Sequence, residues 1–390
     1  MSFSTRLLAD LDVSEAEFRD DPYPVYAHLR ESTPIFQYAP TEWWVTSFDV
    51  AMQVVTSDLF TTRAPHDTKR PSGILFLLEP PEHQWLRELL AKALSHRLTV
   101  MRGRVADIAE EIVEGLARKT QFDLMADFAV PFPITVISEL LGIPTDKLLG
   151  WRDYSSSITK MLDPHPDSTT TSGALRAGLK LFRLAKDLVE NSESSLSTGL
   201  LSDILDQSKQ DLRLDHQTIA LILLMLLVAG HETTTNLIGN GLFALLSHPH
   251  QFGSLYSEPA RIQRAVEELL RFDSPVQATR RFALASCKLA DKRLRKGDSV
   301  VVVIGAANRD PGRFEAPNTL DIFRQDIAHL SFSYGDHACL GAQLGRYEAQ
   351  CALRSVCSRL PDLQLSGRVT YREHFTMRGV LSLPVRHRLS

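Results

Sequence analysis

The chain has 390 residues, of which 44% are hydrophobic and 23% are charged. This composition excludes a disordered chain and is typical of a soluble globular protein with a large core. The net charge of -4 at pH 7 provides no basic field for nucleic acid or an anionic membrane, so a small-molecule ligand is favoured. Four cysteines are too few for a disulfide scaffold and fit a reducing compartment.

No internal repeat, low-complexity tract or Gly/Ser-rich linker interrupts the sequence, which predicts a single domain over residues 1–390. The N-terminal sequence MSFSTRLLADLDVSEAEF lacks a long apolar run. We therefore expect neither a secretory signal nor a membrane anchor, and a cytoplasmic location. The longest apolar stretch, residues 219–230, is shorter than the roughly 20 residues that cross a bilayer, and it predicts a buried helix.

The first elements in chain order mix strand and helix. Glu42–Val45 is predicted as a short strand, and residues 50–55 and 85–94 have the apolar spacing of amphipathic helices. Helical spacing then recurs in four further segments: residues 105–116, 134–141, 175–189 and 200–205. The sequence therefore predicts a mainly α protein with small β-sheets.

A long central helix is predicted from Asp215, whose carboxylate can cap the first free N–H groups, to about Leu246. Its middle is apolar nearly all round, as expected of a helix buried on every side. A helix near residues 260–272 and a β-branched strand at residues 300–304 follow. The last helix is predicted to follow Cys339.

The densest motif is SFSYGDHACLGA at residues 331–342. Gly335 and Gly341 allow backbone shapes and close approaches that a Cβ would block, so a flat cofactor can lie against the main chain. Peptide N–H groups at the start of the following helix can stabilise a thiolate at Cys339. Phe332 can pack beside the sulfur. This loop is therefore a candidate cofactor site.

Two alternatives compete for this cysteine. A lone cysteine in a turn is often simply buried in the structure, and a zinc site is less favoured because Cys351 and Cys357 lack C-x-x-C spacing. The complete pattern F-x-x-G-x-H-x-C-x-G arises by chance on the order of once in 10⁵ such sequences. The pattern favours the cofactor hypothesis.

The motif resembles the haem-binding signature of the cytochrome P-450 superfamily of haem-thiolate monooxygenases, and the segment ANRDPGRF at residues 307–314 is similar to the region before the family's haem loop. The resemblance implies the cytochrome P-450 fold, with the long central helix over haem b and Cys339 as the ligand of the iron. The signature residues are Phe332, Gly335, His337, Cys339 and Gly341.

The central helix carries the sequence AGHETT at residues 229–234. The small Ala229 allows a ligand to approach the helix, and Thr233 can bond to the carbonyl four residues earlier or to a ligand. The family resemblance implies that Glu232 and Thr233 deliver protons during oxygen activation. The alternative is that the threonines bond only within their own helix.

Cationic side chains at four positions match the family's ligands for the haem propionates. His83 and Arg87 stand at i, i+4 helical spacing, and Arg281 and His337 are matched in later segments. The adjacent Arg280 is an alternative to Arg281. Four matched positions around one anionic cofactor favour propionate binding over four unrelated surface charges.

Glu268 and Arg271 are a charged pair, three residues apart on the helix predicted near residues 260–272. Such pairs are common on solvated helix faces, where each contributes about 0.3 to 0.5 kcal/mol. The match to the family's E-x-x-R implies instead a buried pair with a structural role.

The resemblance also implies a largely apolar pocket for a hydrophobic substrate, in which Gln277 and Thr279 are potential polar orienting groups. The alternative for these residues is ordinary core, because periodicity alone does not separate core from pocket. The pocket is predicted to contain Phe76, Met225, Val228, Val276, Gln277, Thr279 and Met377.

A monooxygenase that uses O2 to hydroxylate or epoxidise a lipophilic metabolite, in secondary metabolism, is the leading hypothesis. The sequence contains no G-x-G-x-x-G, so electrons are expected from a ferredoxin with its reductase or from a flavodoxin, docked near Lys92, Arg97 and Arg346. Oxidative coupling or cyclisation by the same oxidant is an alternative. A haem gas sensor or carrier is a non-enzyme alternative that the Glu232–Thr233 pair disfavours.

Overall fold

The computed structural model describes residues 15–64, 73–191 and 198–388. Most of the N-terminal segment in which no signal or anchor is expected lies outside these residues. The fold is mainly helical, with small sheets, as the sequence predicts. The α-helices of the described residues are α1 (Ala16–Asp20), α2 (Tyr23–Ser32), α3 (Phe48–Thr56), α4 (Glu82–Leu116), α5 (Pro131–Leu141), α6 (Thr145–Leu148), α7 (Arg152–Thr159), α8 (Ser168–Glu190), α9 (Leu200–Ser208), α10 (His216–Leu246), α11 (Pro249–Ser257), α12 (Ile262–Phe272), α13 (Ile304–Ala307) and α14 (Ala342–Arg359).

Within residues 15–64, 73–191 and 198–388, short β-strands form four small sheets. The strands are β1 (Ile35–Ala39), β2 (Glu42–Val45), β3 (Phe60–Thr61), β4 (Gln121–Asp123), β5 (Ala278–Ala283), β6 (Cys287–Leu289), β7 (Lys292–Leu294), β8 (Ser299–Val303), β9 (Gln364–Leu365), β10 (Thr370–Tyr371), β11 (Val380–Ser382) and β12 (Pro384–Arg386). The largest sheet has the order β1-β2-β8-β5-β3, in which only β2 and β8 are parallel. The others are β4-β12-β9, β6-β7 and β10-β11. The predicted strands in the regions of β2 and β8 are confirmed.

The long helix α10 passes through the middle of the protein. Its predicted cap is confirmed, because a carboxylate oxygen of Asp215 accepts a hydrogen bond from the N–H of Thr218 at 2.7 Å. The helix packs against α5, α8, α12 and α14. By length and composition alone it could cross a membrane, but 67% of its most apolar window is buried inside the protein. Core packing on every side therefore explains its apolar composition.

Helix α4 differs from the two separate helical segments that apolar spacing indicates at residues 85–94 and 105–116. The structure joins them in one helix of 35 residues. Residues 95–104, which join the two segments, are half-buried or exposed, so their sequence lacks the apolar spacing of a helix. They contain no proline that would end the helix. Gly103 is the residue there with the lowest helix propensity, and a single glycine costs only about 1 kcal/mol.

Candidate active site

Cys339 lies in a tightly folded loop directly before α14. The N–H of Cys339 donates to the carbonyl of Phe332 at 2.8 Å, and the N–H of Ala338 donates to the carbonyl of Gly335 at 3.0 Å. Gly335 has a φ of +72°, and a Cβ there would lie 2.8 Å from the carbonyl oxygen of Val55. This position therefore requires glycine. The loop holds the Cys339 thiol beside the N-terminal end of α14.

A cavity of about 230 Å³ is lined by both the Cys339 loop and the middle of α10. The loop contributes Phe332 and Cys339, and the helix contributes Ala229 and Thr233. The remaining lining is mostly apolar, so water is poorly held there. Its apolar side chains are Leu75, Phe76, Leu94, Ile137, Leu140, Met225, Leu226, Leu237, Leu270, Pro275, Leu340 and Leu344.

The surroundings of Cys339 fit a flat macrocycle. A Cβ at Gly341 would meet no atom within 4 Å, and one at Gly345 would meet nothing nearer than 3.8 Å. The first turn of α14 therefore leaves open space beside the sulfur. Burial raises the pKa of the Cys339 thiol, although a hydrogen bond from the backbone of Gly341 and the charges of Arg87 and Arg346 lower it in part. A cationic metal bound to the sulfur would favour the thiolate.

The predicted alternative of a zinc site finds no support in the described ranges, where no group of three or more His, Cys, Asp or Glu side chains could hold a metal ion. Cys351 and Cys357 are buried within α14. Burial raises the pKa of the Cys351 thiol to about 11 and that of Cys357 to about 12. Both are therefore neutral packing residues, and a single thiol faces the cavity.

Three of the four predicted propionate ligands line this cavity, and the fourth, Arg281, lies close enough to His337 to act on its charge. The rings of His83 and His337 lie 4.4 Å apart, and both residues line the cavity together with Arg87. Arg281 is buried, and its Nη1 donates to the Thr279 hydroxyl and to the Arg280 carbonyl, both at 2.9 Å. These acceptors are neutral, and the nearby carboxylates that act on the cluster are those of Glu79 and Asp336.

The electrostatics of the cluster fit an anionic ligand. Burial lowers the pKa of the Arg281 guanidinium to about 10. Burial, followed by the charges of His83 and Arg281, lowers the pKa of His337 to about 4. The Nε2 atom of His83 is buried without a hydrogen-bond partner among the described residues. Carboxylates placed here would be bound by the arginines and by this nitrogen, as haem propionates are.

Glu232 and Thr233 are adjacent on α10 but face different surroundings. The Thr233 hydroxyl donates to the carbonyl of Ala229 at 2.9 Å, and its side chain lines the cavity that contains Cys339. Glu232 is buried and lines a smaller, separate cavity. Its carboxylate accepts hydrogen bonds from Arg372, Ser155 and Thr159. The Glu232 carboxylate is therefore held at the smaller cavity, whereas the Thr233 side chain lines the cavity that contains Cys339.

Two of the predicted pocket residues line the main cavity. Phe76 lies in a 3₁₀ turn, Leu75–Leu77, and is 49% exposed. The sulfur of Met225 accepts a hydrogen bond from the N–H of Leu75 at 3.1 Å, which ties this turn to α10. Both side chains are positioned to contact an apolar ligand.

The other predicted pocket residues do not line this cavity. Val228 faces a separate apolar cavity between α5, α7 and α8. Gln277 turns inward, where its amide nitrogen donates to the Ser274 carbonyl at 2.7 Å. The Thr279 hydroxyl accepts a hydrogen bond from Arg281. Val276 and Met377 form a β-bridge with each other. The local backbone directs these side chains elsewhere.

Several residues of the cavity were missed by the sequence-based prediction. Leu226 and Leu237 line it from α10, and with the predicted cavity residues Ala229 and Thr233 they stand at i, i+3, i+7 and i+11, which is one face of the helix. This signal was present in the sequence. Glu348 also lines the cavity, although burial raises its pKa well above the ordinary value. No sequence pattern indicated Glu348.

The Glu268–Arg271 pair is fully buried, with Arg271 Nε and Nη2 each 2.7 Å from the carboxylate. Arg271 also donates to the carbonyls of Asn308, Pro317 and Thr319. These acceptors lie between the α13 region and the segment leading to the Cys339 loop. The pair therefore connects α12 to that segment and is not a solvated surface pair.

The cations considered for electron-donor docking are partly engaged. Arg97 forms a double hydrogen bond with Asp203 at 2.6 and 2.5 Å. Arg346 binds Glu267 at 2.8 and 3.0 Å, and it lines a second cavity next to Cys339. These ion pairs reduce the charge available to a partner protein.

The fold is mainly helical, and one cysteine loop and a long central helix line the same apolar cavity. This arrangement is typical of proteins in which a thiolate holds a flat cofactor. The family model described as "Cytochrome P450" matches residues 54–361. The chain belongs to the cytochrome P450 family and is of the bacterial type. It is an enzyme of the cytochrome P450 monooxygenase class, and the family implies a haem-thiolate cofactor.

Known proteins are similar along nearly the whole chain. The sequence is 35% identical to the cytochrome P450 monooxygenase PikC of Streptomyces venezuelae, covering 97% of this chain and 94% of that protein. It is 34% identical to the vitamin D(3) 25-hydroxylase of Pseudonocardia autotrophica, covering 99% and 98%. The crystal structure of P450BioI in complex with hexadec-9Z-enoic acid ligated acyl carrier protein superposes with a TM-score of 0.89 at 29% identity, covering 95% of this chain and 100% of that one.

Proposed function

We propose that this protein is a single-domain haem b monooxygenase that hydroxylates or epoxidises a hydrophobic small molecule in secondary metabolism. It works in the cytoplasm with electrons from a ferredoxin and its reductase or from a flavodoxin. One observation carries the proposal: Cys339 and Thr233 line the same apolar cavity. A metal ligand and a proton-transferring hydroxyl thus share one space with the substrate.

The cofactor would be held by residues from four parts of the chain. Cys339 binds the iron, and His83, Arg87, Arg281 and His337 bind the propionates. When bound, haem supplies the activation of O2 that the amino-acid side chains lack. Ring contacts are assigned to Ala229, Phe332, Gly335 and Gly341.

The remaining chemistry at this site is proton delivery and exclusion of water. The Thr233 hydroxyl holds a proton at Oγ1 on the cavity side of α10, and Glu232 is the acid next to it in the chain. The apolar lining disfavours bulk water, which concentrates proton delivery at this hydroxyl. Such positioned acid catalysis typically contributes 10²- to 10⁴-fold in rate.

A lipophilic substrate is supported by the cavity and by similar proteins. Phe76 and Met225 offer apolar contacts, and vitamin D(3) and a hexadecenoic acid are the lipophilic molecules named for two similar proteins. Product masses distinguish the reaction types: a gain of one oxygen atom supports oxygen insertion, whereas a loss of two hydrogen atoms supports oxidative coupling.

The deciding experiment is the absorption spectrum of the reduced, CO-bound protein. We expect the wild type and Cys351→Ala to give the thiolate-type band and Cys339→Ala to lack it. Cys351 is the matched control because it is a buried cysteine on α14, twelve positions away. A histidine-type band in the wild type would contradict the proposal.

A further inference from the structure

The strands β6 and β7 form a separate two-stranded hairpin, in which Lys288 pairs directly with Arg293. Leu289 and Leu294 are buried in an apolar cluster, which fixes the inner face of the hairpin against the protein. Side chains alternate between the two faces of a strand, so Lys288 and Arg293 lie together on the outer face. Both are exposed. The hairpin therefore presents two cations side by side to solvent.

The charge of this cross-strand pair is not compensated within the hairpin. Like charges directly opposite each other destabilise a pair of strands. Asp291, in the turn, forms an ion pair with Lys292 at 2.8 Å, and Lys288 acts on it only through its charge. Among the described residues, neither Lys288 nor Arg293 has an ion-pair partner. An external anion would therefore lower the free energy of the outer face.

Two further cations, Arg295 and Lys296, follow β7 directly and are exposed. The nearby acid, Asp298, is buried and already accepts hydrogen bonds from Trp43 Nε1 at 3.1 Å and from the Arg295 N–H at 2.9 Å. Residues 287–298 contain five cations and two acids, which gives a net charge of +3 in a chain whose net charge is -4. The overall charge thus conceals a local basic segment.

Two exposed leucines adjoin these cations. The N–H of Leu284 donates to the Leu59 carbonyl at 2.9 Å, and the N–H of Gly297 donates to the Ala283 carbonyl at 2.8 Å. These bonds place the backbone of Lys296 next to that of Leu284. Leu59 and Leu284 are 47% and 50% exposed. Apolar and cationic side chains therefore share one stretch of surface.

We propose that residues 287–296, with Leu59 and Leu284, form a docking surface for an anionic phospholipid layer. Phosphate headgroups would pair with the exposed cations, and the leucines would enter the apolar layer beneath them. A soluble anion or an acidic protein surface offers the leucines no such layer. Even with the exposed Asp58 beside Leu59, five cations face three acids, so the surface keeps a net positive charge.

This surface is separate from the proposed reaction and goes beyond it, because none of its residues lines the Cys339 cavity. Its test therefore needs no substrate. A protein that lacked the thiolate band could still bind the vesicles described below, so the two proposals fail independently.

Cosedimentation of the holoenzyme with vesicles of equal parts phosphatidylglycerol and phosphatidylcholine tests the surface. We expect the wild type to bind these vesicles and not vesicles of phosphatidylcholine alone. Lys288→Gln/Arg293→Gln should weaken binding about 30-fold, because each cation near an anionic layer contributes about 1 kcal/mol, or about fivefold. Arg176→Gln/Arg183→Gln is the matched control, since it removes two exposed charges from α8 and should leave binding unchanged.

Leu284→Ser separates a lipid layer from other anions. It should weaken binding to the vesicles severalfold and leave binding to soluble polyglutamate unchanged. Raising the ionic strength from about 0.1 M to about 1 M shortens the screening length from about 10 Å to about 3 Å and should release the wild type, a readout that needs no variant to fold. No binding of the wild type, or equal losses in the two double variants, would overturn the proposal. Unchanged vesicle binding by Leu284→Ser would also overturn it and would assign the surface to an acidic protein.

Discussion

The imidazole rings of His83 and His337 lie 4.4 Å apart at an angle of 48°, one on α4 and the other in the Cys339 loop. Two imidazoles and the buried Arg281 meet here, and His83 Nε2 has no partner within the described segments. The carboxylates of Glu79 and Asp336 act on these charges, and a bound anion would lower the free energy of the arrangement further by giving His83 Nε2 a partner. Haem retention should therefore depend on these side chains.

Substitution of Arg281 tests the propionate site. We expect Arg281→Gln to lose haem roughly 10- to 150-fold faster, because a buried, charge-assisted bond contributes about 1.5–3 kcal/mol. Haem transfer to an apoprotein acceptor measures the rate. Arg280→Gln is the control, since Arg280 instead donates to Glu42 and to the Pro164 carbonyl. Faster loss from Arg280→Gln than from Arg281→Gln would reverse the assignment of the two arginines.

Substitution of Thr233 tests the proton-delivery hydroxyl. Thr233→Ala should keep its haem but divert more electrons from product, because the hydroxyl that lines the Cys339 cavity is lost. Thr233→Ser retains a hydroxyl and should recover most of the coupling. The ratio of product formed to electrons consumed measures the effect. Equal ratios in the wild type and Thr233→Ala would remove this residue from the mechanism.

Two ion pairs with the same i, i+3 spacing should differ strongly in stability. Arg271 and Glu268 are both 0% exposed, whereas the side chains of Arg261 and Glu258 are 36% and 56% exposed. Arg271→Ala leaves a buried carboxylate with fewer partners and should cost about 3–5 kcal/mol. Arg261→Ala should cost less than about 1 kcal/mol. Urea unfolding measures both, and similar losses would contradict the structural role of the buried pair.

Two glycine substitutions should change the stability of the protein in opposite directions. Gly335→Ala places a Cβ at a φ of +72° and 2.8 Å from the Val55 carbonyl, and should destabilise the protein by about 1–3 kcal/mol. Gly103→Ala lies within α4 and its Cβ would meet no atom within 4 Å. It should stabilise the helix by about 0.5–1 kcal/mol. Thermal unfolding checks both, and a neutral Gly335→Ala would show that the loop can rearrange.

The buried His374 should make stability depend on pH. Burial, with the charges of Lys160 and Arg372, lowers the pKa of His374 from 6.5 to about 4. The unfolded chain therefore takes up a proton that the folded state resists as the pH falls from 6.5 toward 4. The free energy of unfolding should fall across this window by about 3 kcal/mol.

His374→Leu should flatten this part of the pH profile. His28→Leu is the control, because His28 is exposed on α2, and should leave the slope as in the wild type. Urea unfolding at several pH values measures the slope. A profile for His374→Leu that is as steep as the wild-type profile would assign the dependence to other groups.

Local sequence was sufficient wherever a short segment determines its own structure. The Asp215 cap and the apolar residues of α10 establish that helix, since capping and burial act within a few turns. The cysteine motif likewise predicts the cofactor loop from local sequence alone. Its glycine at position 335 is required by backbone geometry within the loop.

Tertiary structure decided the contacts between segments far apart in the chain. The sequence alone gives no indication that Arg372 binds Glu232 or that His83 lies against His337, because such contacts depend on how the elements pack. It also does not reveal that Gln277 turns inward, because the apolar surroundings of a core residue and of a pocket residue follow the same periodicity. The sequence thus determined the family and the central helix, and it predicts the metal ligand. Packing determined which side chains face the cavity and which groups bind Glu232.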